Sequence, residues 1–119
     1  MKIIITANGS DLDSSVDPRF GRAKGFIIYE SDSGEFKYID NNQNLQAMQG
    51  AGIQSAKTII DSGAKVLLTG NVGPKAYTAL SSAKVDIYTG AEGSVKDAIE
   101  SYNGGRLKKA ENANVEGHW

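Results

Sequence analysis

Arg19 and Arg22 flank Phe20-Gly21 in the run Asp17-Pro18-Arg19-Phe20-Gly21-Arg22-Ala23. Two guanidinium groups so close together can hold an anion through planar, charge-assisted hydrogen bonds. A second candidate is Thr69-Gly70-Asn71-Val72-Gly73-Pro74, a glycine-bracketed turn into a helix. Backbone N–H groups at a helix start point outward and, with the helix dipole, favour a bound anion. Asn41, Asn42, Gln43 and Asn44 add neutral donors in a polar stretch over 41–49. Each feature also has a plain structural reading. Exposed arginines are often solvated or ion-paired to little effect, and the glycine run can be a tight strand-to-helix turn. It is neither a Walker nor a dinucleotide glycine motif.

Metal ligands are sparse. Met48 offers a thioether that suits copper(I), or simply fills a gap in the core. His118, beside Trp119, can bind a metal or belong to a tail. With no cysteine and one histidine, disulfides, thiolate zinc sites, cysteine-ligated iron–sulfur centres and multi-histidine cages within one chain are excluded.

Catalysis is poorly supported. Nuclease chemistry with two divalent metals needs converging carboxylates, but no apolar strand stretch carries a central acid, and Asp40 and Asp86 stand isolated at strand ends. A Ser-His-Asp arrangement would have to use His118. The expectation is therefore a non-enzyme.

The remaining composition narrows the partners. Thirteen Lys plus Arg balance fourteen Asp plus Glu, for a net charge of −1. No global field is available for nucleic acid or an anionic membrane, so an anion site must be local. Ile3-Ile4-Ile5 is too short for a signal-peptide core or a membrane span, and the expected location is the cytoplasm. A length of 119 residues suits one domain, expected over 1–107, with a tail over 108–119.

The elements that must position these residues follow from patterning. Ile3-Ile4-Ile5 and Val66-Leu67-Leu68 lack polar alternation and predict strands covered on both faces. Residues 8–23 predict a long ordered loop. Phe26 to Tyr29 and Phe36 to Ile39 flank Ser31-Asp32-Ser33-Gly34 as a hairpin whose second strand is an edge. Ile53, Ala56 and Ile60 predict one helical stripe ending at Ser62-Gly63. Pro74 opens a helix carrying Ala76, Leu80 and Ala83, and Val85, Ile87 and Thr89 form a last strand. Ser94 and Asp97 predict a capping box before Val95, Ala98, Ile99 and Tyr102, with Gly104-Gly105 as the stop.

The order β-β-β-α-β-α-β-α predicts a ribonuclease-H-like α/β three-layer sandwich with a five-stranded mixed sheet. Ligands in such sheets sit beyond the carboxyl ends of the parallel strands. That edge gathers the loops 8–23, 41–49, 69–74 and 89–94.

Residues Val16 to Ala23, Gly50 to Ala56 and Leu68 to Ala76 resemble the dinitrogenase iron–molybdenum cofactor biosynthesis family. So do Val95 to Ile99, Gly105-Arg106-Leu107 and Gly117-His118-Trp119, so the resemblance spans essentially the whole chain. It implies a ribonuclease-H-like fold and transient, non-covalent binding of molybdenum- or iron-containing sulfide clusters on their way to an acceptor protein. Related orange proteins hold a molybdenum–copper sulfide cluster. Many members look as if they carry histidine at the position of Arg19, in the 41–49 loop and in the tail. This chain keeps His118 alone.

The leading expectation is a carrier of an anionic metal–sulfur cluster containing molybdenum or iron, with copper a further candidate. Its site would comprise Arg19, Phe20, Gly21, Arg22, Asn42, Thr69, Gly70, Asn71 and Gly73, and a donor or acceptor protein would be its partner. The alternatives are a regulatory or scaffold domain binding a small anionic metabolite or a partner protein and, from fold analogy alone, a metal-dependent hydrolase or nuclease.

Overall fold

The computed structural model describes residues 1–41 and 51–113. Strand β1 (Lys2–Ala7) is followed by the hairpin β2 (Gly25–Glu30) and β3 (Phe36–Asp40), helix α1 (Ala51–Asp61), β4 (Val66–Leu68), α2 (Pro74–Ser82), β5 (Asp86–Thr89), α3 (Val95–Asn103) and β6 (Lys108–Lys109). The six strands form one mixed sheet in the order β3-β2-β1-β4-β5-β6. β1, β4 and β5 are parallel, while β2, β3 and β6 join antiparallel. The carboxyl ends of β1, β4 and β5 therefore share one edge.

The unbroken apolar runs are buried on both faces, as their lack of alternation predicts. Ile4, Phe26, Ile28, Leu67 and Ile87 pack with Ala56 and Ile59 of α1 and Ala76 and Leu80 of α2. Ile3, Ile5, Ile27, Val66 and Leu68 pack with Val95, Ala98 and Ile99 of α3 on the opposite face. Among the described residues, two helices on one side and one on the other make three layers.

Local signals place the ends of these elements. Gly34 takes φ +77° in the hairpin turn, and Gly63 takes φ +81° just past α1, conformations that residues with a Cβ rarely adopt. Pro74 stands in the first turn of α2. The Ser94 hydroxyl accepts the Asp97 N–H while the Asp97 carboxylate accepts the Ser94 N–H. That is the reciprocal capping box the sequence predicts.

Three expectations are corrected. The sheet has six strands, not five, because Lys108–Lys109 pairs with Tyr88 and Thr89 inside the stretch expected as tail. A long-range ion pair between Lys109 Nζ and Asp86 at 3.1 Å accompanies it, and two lysines carry no apolar strand signal. Ile53 is 44% exposed, because the buried face of α1 runs through Ser55, Ala56 and Ile59. Ala83 is exposed and caps α2 rather than packing within it.

Candidate anion-binding site

The loops after β1, β4 and β5 are tied into one crown. The Asn71 N–H donates to the Pro18 carbonyl at 2.8 Å, and the Phe20 N–H donates to the Asn71 carbonyl at 3.2 Å. Arg19 and Asn71 thus form a short parallel bridge. Asn71 Nδ2 adds a bond to the Pro18 carbonyl at 3.2 Å. On the other side the Val16 N–H donates to the Gly93 carbonyl, and the Val95 N–H donates to the Ser14 carbonyl. The Ala91 N–H closes the crown onto the Thr69 carbonyl at 3.1 Å.

The connections after β4 and β5 diverge to opposite faces of the sheet, the arrangement that opens a crevice in α/β folds. Here loop 8–24 bonds to both connections across the strand ends. Its residues Val16, Asp17 and Phe20 are buried there. The groups left to meet a ligand lie on the outer surface of that loop and at the start of α2.

Gly70 is explained by this packing. A Cβ at that position would lie 2.6 Å from Pro18 Cα, closer than any side chain tolerates, so glycine allows the loop to dock on the turn. Gly73 is the N-cap of α2 and provides no side-chain cap, and helix-start amides without a side-chain acceptor are suited to an anion.

A buried hydroxyl pair holds the base of the loop. The Thr6 hydroxyl bonds the Asp17 carbonyl at 2.7 Å and shares a hydrogen bond with the Thr69 hydroxyl at 2.9 Å. With one proton per hydroxyl, Thr6 donates to the carbonyl and accepts from Thr69. Asp17, 2% exposed, accepts the Arg19 N–H on Oδ1 at 3.0 Å. The same oxygen stands 3.6 Å from Arg19 Nε, on a side chain that is 49% exposed.

The predicted site residues separate into two groups. Arg19, Gly70 and Asn71 come together at the loop-to-turn contact, and Gly73 follows on the same turn as the N-cap of α2. Arg22 sits partly buried two residues beyond Phe20 on the same loop. Phe20 is corrected to a core residue, 1% exposed and packed against Phe26 with ring centroids 6.2 Å apart. The Thr69 side chain is likewise fully buried and serves the hydroxyl pair, while its N–H donates to the Tyr88 carbonyl and its carbonyl accepts the Ala91 N–H, so Thr69 is corrected to a structural residue. Gly21 is buried, and its carbonyl accepts the Ser55 hydroxyl at 3.5 Å. Asn41 turns inward, donating from Nδ2 to the Ala23 carbonyl at 2.8 Å. Asn42, Gln43, Asn44, Met48 and His118 lie outside the described residues.

Thr6 and Asp17 are the residues that sequence reading passed over. The Asp17 spacing two residues before Arg19 matches an Asx turn, a signal that could have found it. Among the described residues, no group of three or more His, Cys, Asp or Glu could hold a metal ion, and no helix is long and apolar enough to cross a membrane.

Comparison with known proteins defines the class. The sequence model of the family described as dinitrogenase iron-molybdenum cofactor matches residues 1–105. The chain belongs to that family. The apo form of the orange protein from Desulfovibrio gigas superposes with a TM-score of 0.93 at 40% identity, covering 96% of each chain. A Thermotoga protein described as a NifB candidate of the DUF35 family matches with a TM-score of 0.84 at 33% identity over 98% of each chain. An uncharacterised protein of Methanocaldococcus jannaschii is 33% identical over 113 residues, 93% of this chain and 92% of its own length.

Proposed function

We propose that the chain is a non-enzymatic carrier that binds an anionic metal–sulfur cluster, or its precursor, at the loop-to-turn contact. The observation that carries this reading is the docking of the Arg19 loop on the turn that starts α2. It sets Arg19, whose side chain is 49% exposed, alongside Asn71 in the turn that leads into α2, in a chain 40% identical to the orange protein.

The residues fit a cargo of that kind. The chain has no cysteine to bond iron or molybdenum, so a bound cluster would bring its own sulfide ligands. Such a polyanion needs cationic and N–H donors rather than thiolates. Arg19 and Arg22 would supply charge, and the start of α2 would supply neutral donors. Molybdenum and iron are the metals this reading carries, with copper as a second metal of a mixed sulfide cluster. A donor or acceptor protein would complete the transfer. The ribonuclease-H-like description of the fold belongs to the same proposal, supported by the order β3-β2-β1-β4-β5 with antiparallel β2.

Reconstitution with tetrathiomolybdate, with and without copper, followed by desalting and metal analysis, tests this function. Molybdenum retained in a fixed ratio to protein is the expected result. Retention no greater than for an unrelated protein of similar charge, together with binding of a simple anionic metabolite, would favour the regulatory or scaffold reading instead.

A further inference from the structure

The carboxylate of Asp17 is an odd neighbour for an anion site. It is 2% exposed, and an unneutralised buried carboxylate is costly as well as repulsive to an anionic ligand. Its contacts account for its presence. Oδ1 accepts the Arg19 N–H at 3.0 Å and lies 3.6 Å from Arg19 Nε. The backbone of the same residue is held by Thr6, whose hydroxyl donates to the Asp17 carbonyl at 2.7 Å.

We propose that Asp17 is a positioning residue for the anion site, holding Arg19 by its backbone N–H and its Nε so that the terminal guanidinium edge faces outward. This rests on the proposed anion-binding function. Among the described residues, Asp17 is the ion-pair partner of Arg19, and the contact is on the Nε side. A guanidinium carries five N–H donors in a fixed fork. A carboxylate on one flank therefore leaves the Nη edge able to meet a ligand with parallel hydrogen bonds. The Thr69–Thr6–Asp17 chain of hydrogen bonds ties the Asp17 backbone to the end of β4.

The arrangement makes Asp17 act against simple electrostatics. Removing its negative charge would tighten binding if charge alone mattered, and would weaken it if Arg19 must be held. Titration of the full chain with tetrathiomolybdate should show Asp17→Asn weakened about two- to fivefold, the scale of a partly exposed ion pair. Asp17→Asn should cost nothing further in an Arg19→Ala background. Tighter binding by Asp17→Asn, or an additive loss in the double variant, overturns the proposal.

A ligand-free measurement separates this inference from the carrier reading. In the wild-type chain, 15N relaxation of the Arg19 Nε–H should show it more ordered than that of exposed Arg106, with Asp17→Asn bringing the two together. An Arg19 Nε–H as mobile as that of Arg106 in wild type overturns the proposal without any variant. If the wild type bound no tetrathiomolybdate, the carrier reading would fall while the relaxation result still decided whether Asp17 holds Arg19.

Discussion

The Asn71 N–H donates to the Pro18 carbonyl at 2.8 Å, joining the loop after β1 to the turn after β4. Everything proposed for the site depends on that contact, because it sets Arg19 beside Asn71 in the turn that leads into α2. The neighbouring Gly70 has no room for a side chain, since a Cβ there would meet Pro18 Cα at 2.6 Å.

Gly70→Ala should therefore push the loop off the turn and cost about 1–3 kcal/mol, the usual effect of overpacking a close contact. Urea unfolding gives the stability change, and the same variant should bind tetrathiomolybdate more weakly. An unchanged urea midpoint would show that the loop does not need this close approach.

Leu67 is fully buried between β1 and β5 in the core beneath α1 and α2. Leu67→Ala should cost about 2–5 kcal/mol through lost transfer energy and the cavity left behind. A midpoint within error of wild type would contradict the two-sided burial of β4.

The capping box of α3 makes a pH-dependent contribution. The Ser94 N–H, and then the Ser94 side chain, hold the Asp97 carboxyl below its usual range. A carboxyl with a depressed folded pKa adds stability above its unfolded pKa, and that stability is lost as pH falls through the folded value. Asp97→Asn should accordingly flatten the acid side of the stability profile. Identical acid limbs in variant and wild type would count against the cap.

The Ala110 N–H donates to the Ile87 carbonyl at 2.7 Å, extending the β6 pairing. Amide exchange at Ala110 should be slow, with Lys109→Glu speeding it by setting like charge against Asp86, the partner of Lys109. Exchange of Ala110 as fast as in an unfolded chain would return this segment to the tail that composition predicts.

Much of this architecture is legible locally. Unbroken Ile and Leu runs identify buried strands, Gly34 and Gly63 mark a turn and a helix end, and the Ser94 and Asp97 spacing marks a helix start. What escapes local reading is tertiary. Phe20 sits among loop residues of functional type yet packs on Phe26, and Ile53 fits a helical stripe that burial shifts to Ser55 and Ile59. Strand β6 exists because Lys109 reaches Asp86 and Ala110 reaches Ile87, partners more than twenty residues away. At the site, the arginines and the glycine turn are readable as residue types, whereas the inward roles of Thr6, Thr69 and Asp17 become visible only when the loops meet.

The central claim is that the arginine loop binds an anionic cluster, and tetrathiomolybdate titration of wild type, Arg19→Ala, Arg22→Ala and the double variant at two salt concentrations tests it most directly. Charge-assisted hydrogen bonds are worth about 1.5–3 kcal/mol each, so either single change should weaken binding by roughly ten- to a hundredfold, with little loss of melting temperature. Arg19→Lys should restore only part, because lysine lacks the planar fork. Equal affinity in wild type and the double variant at both salt concentrations would contradict the site.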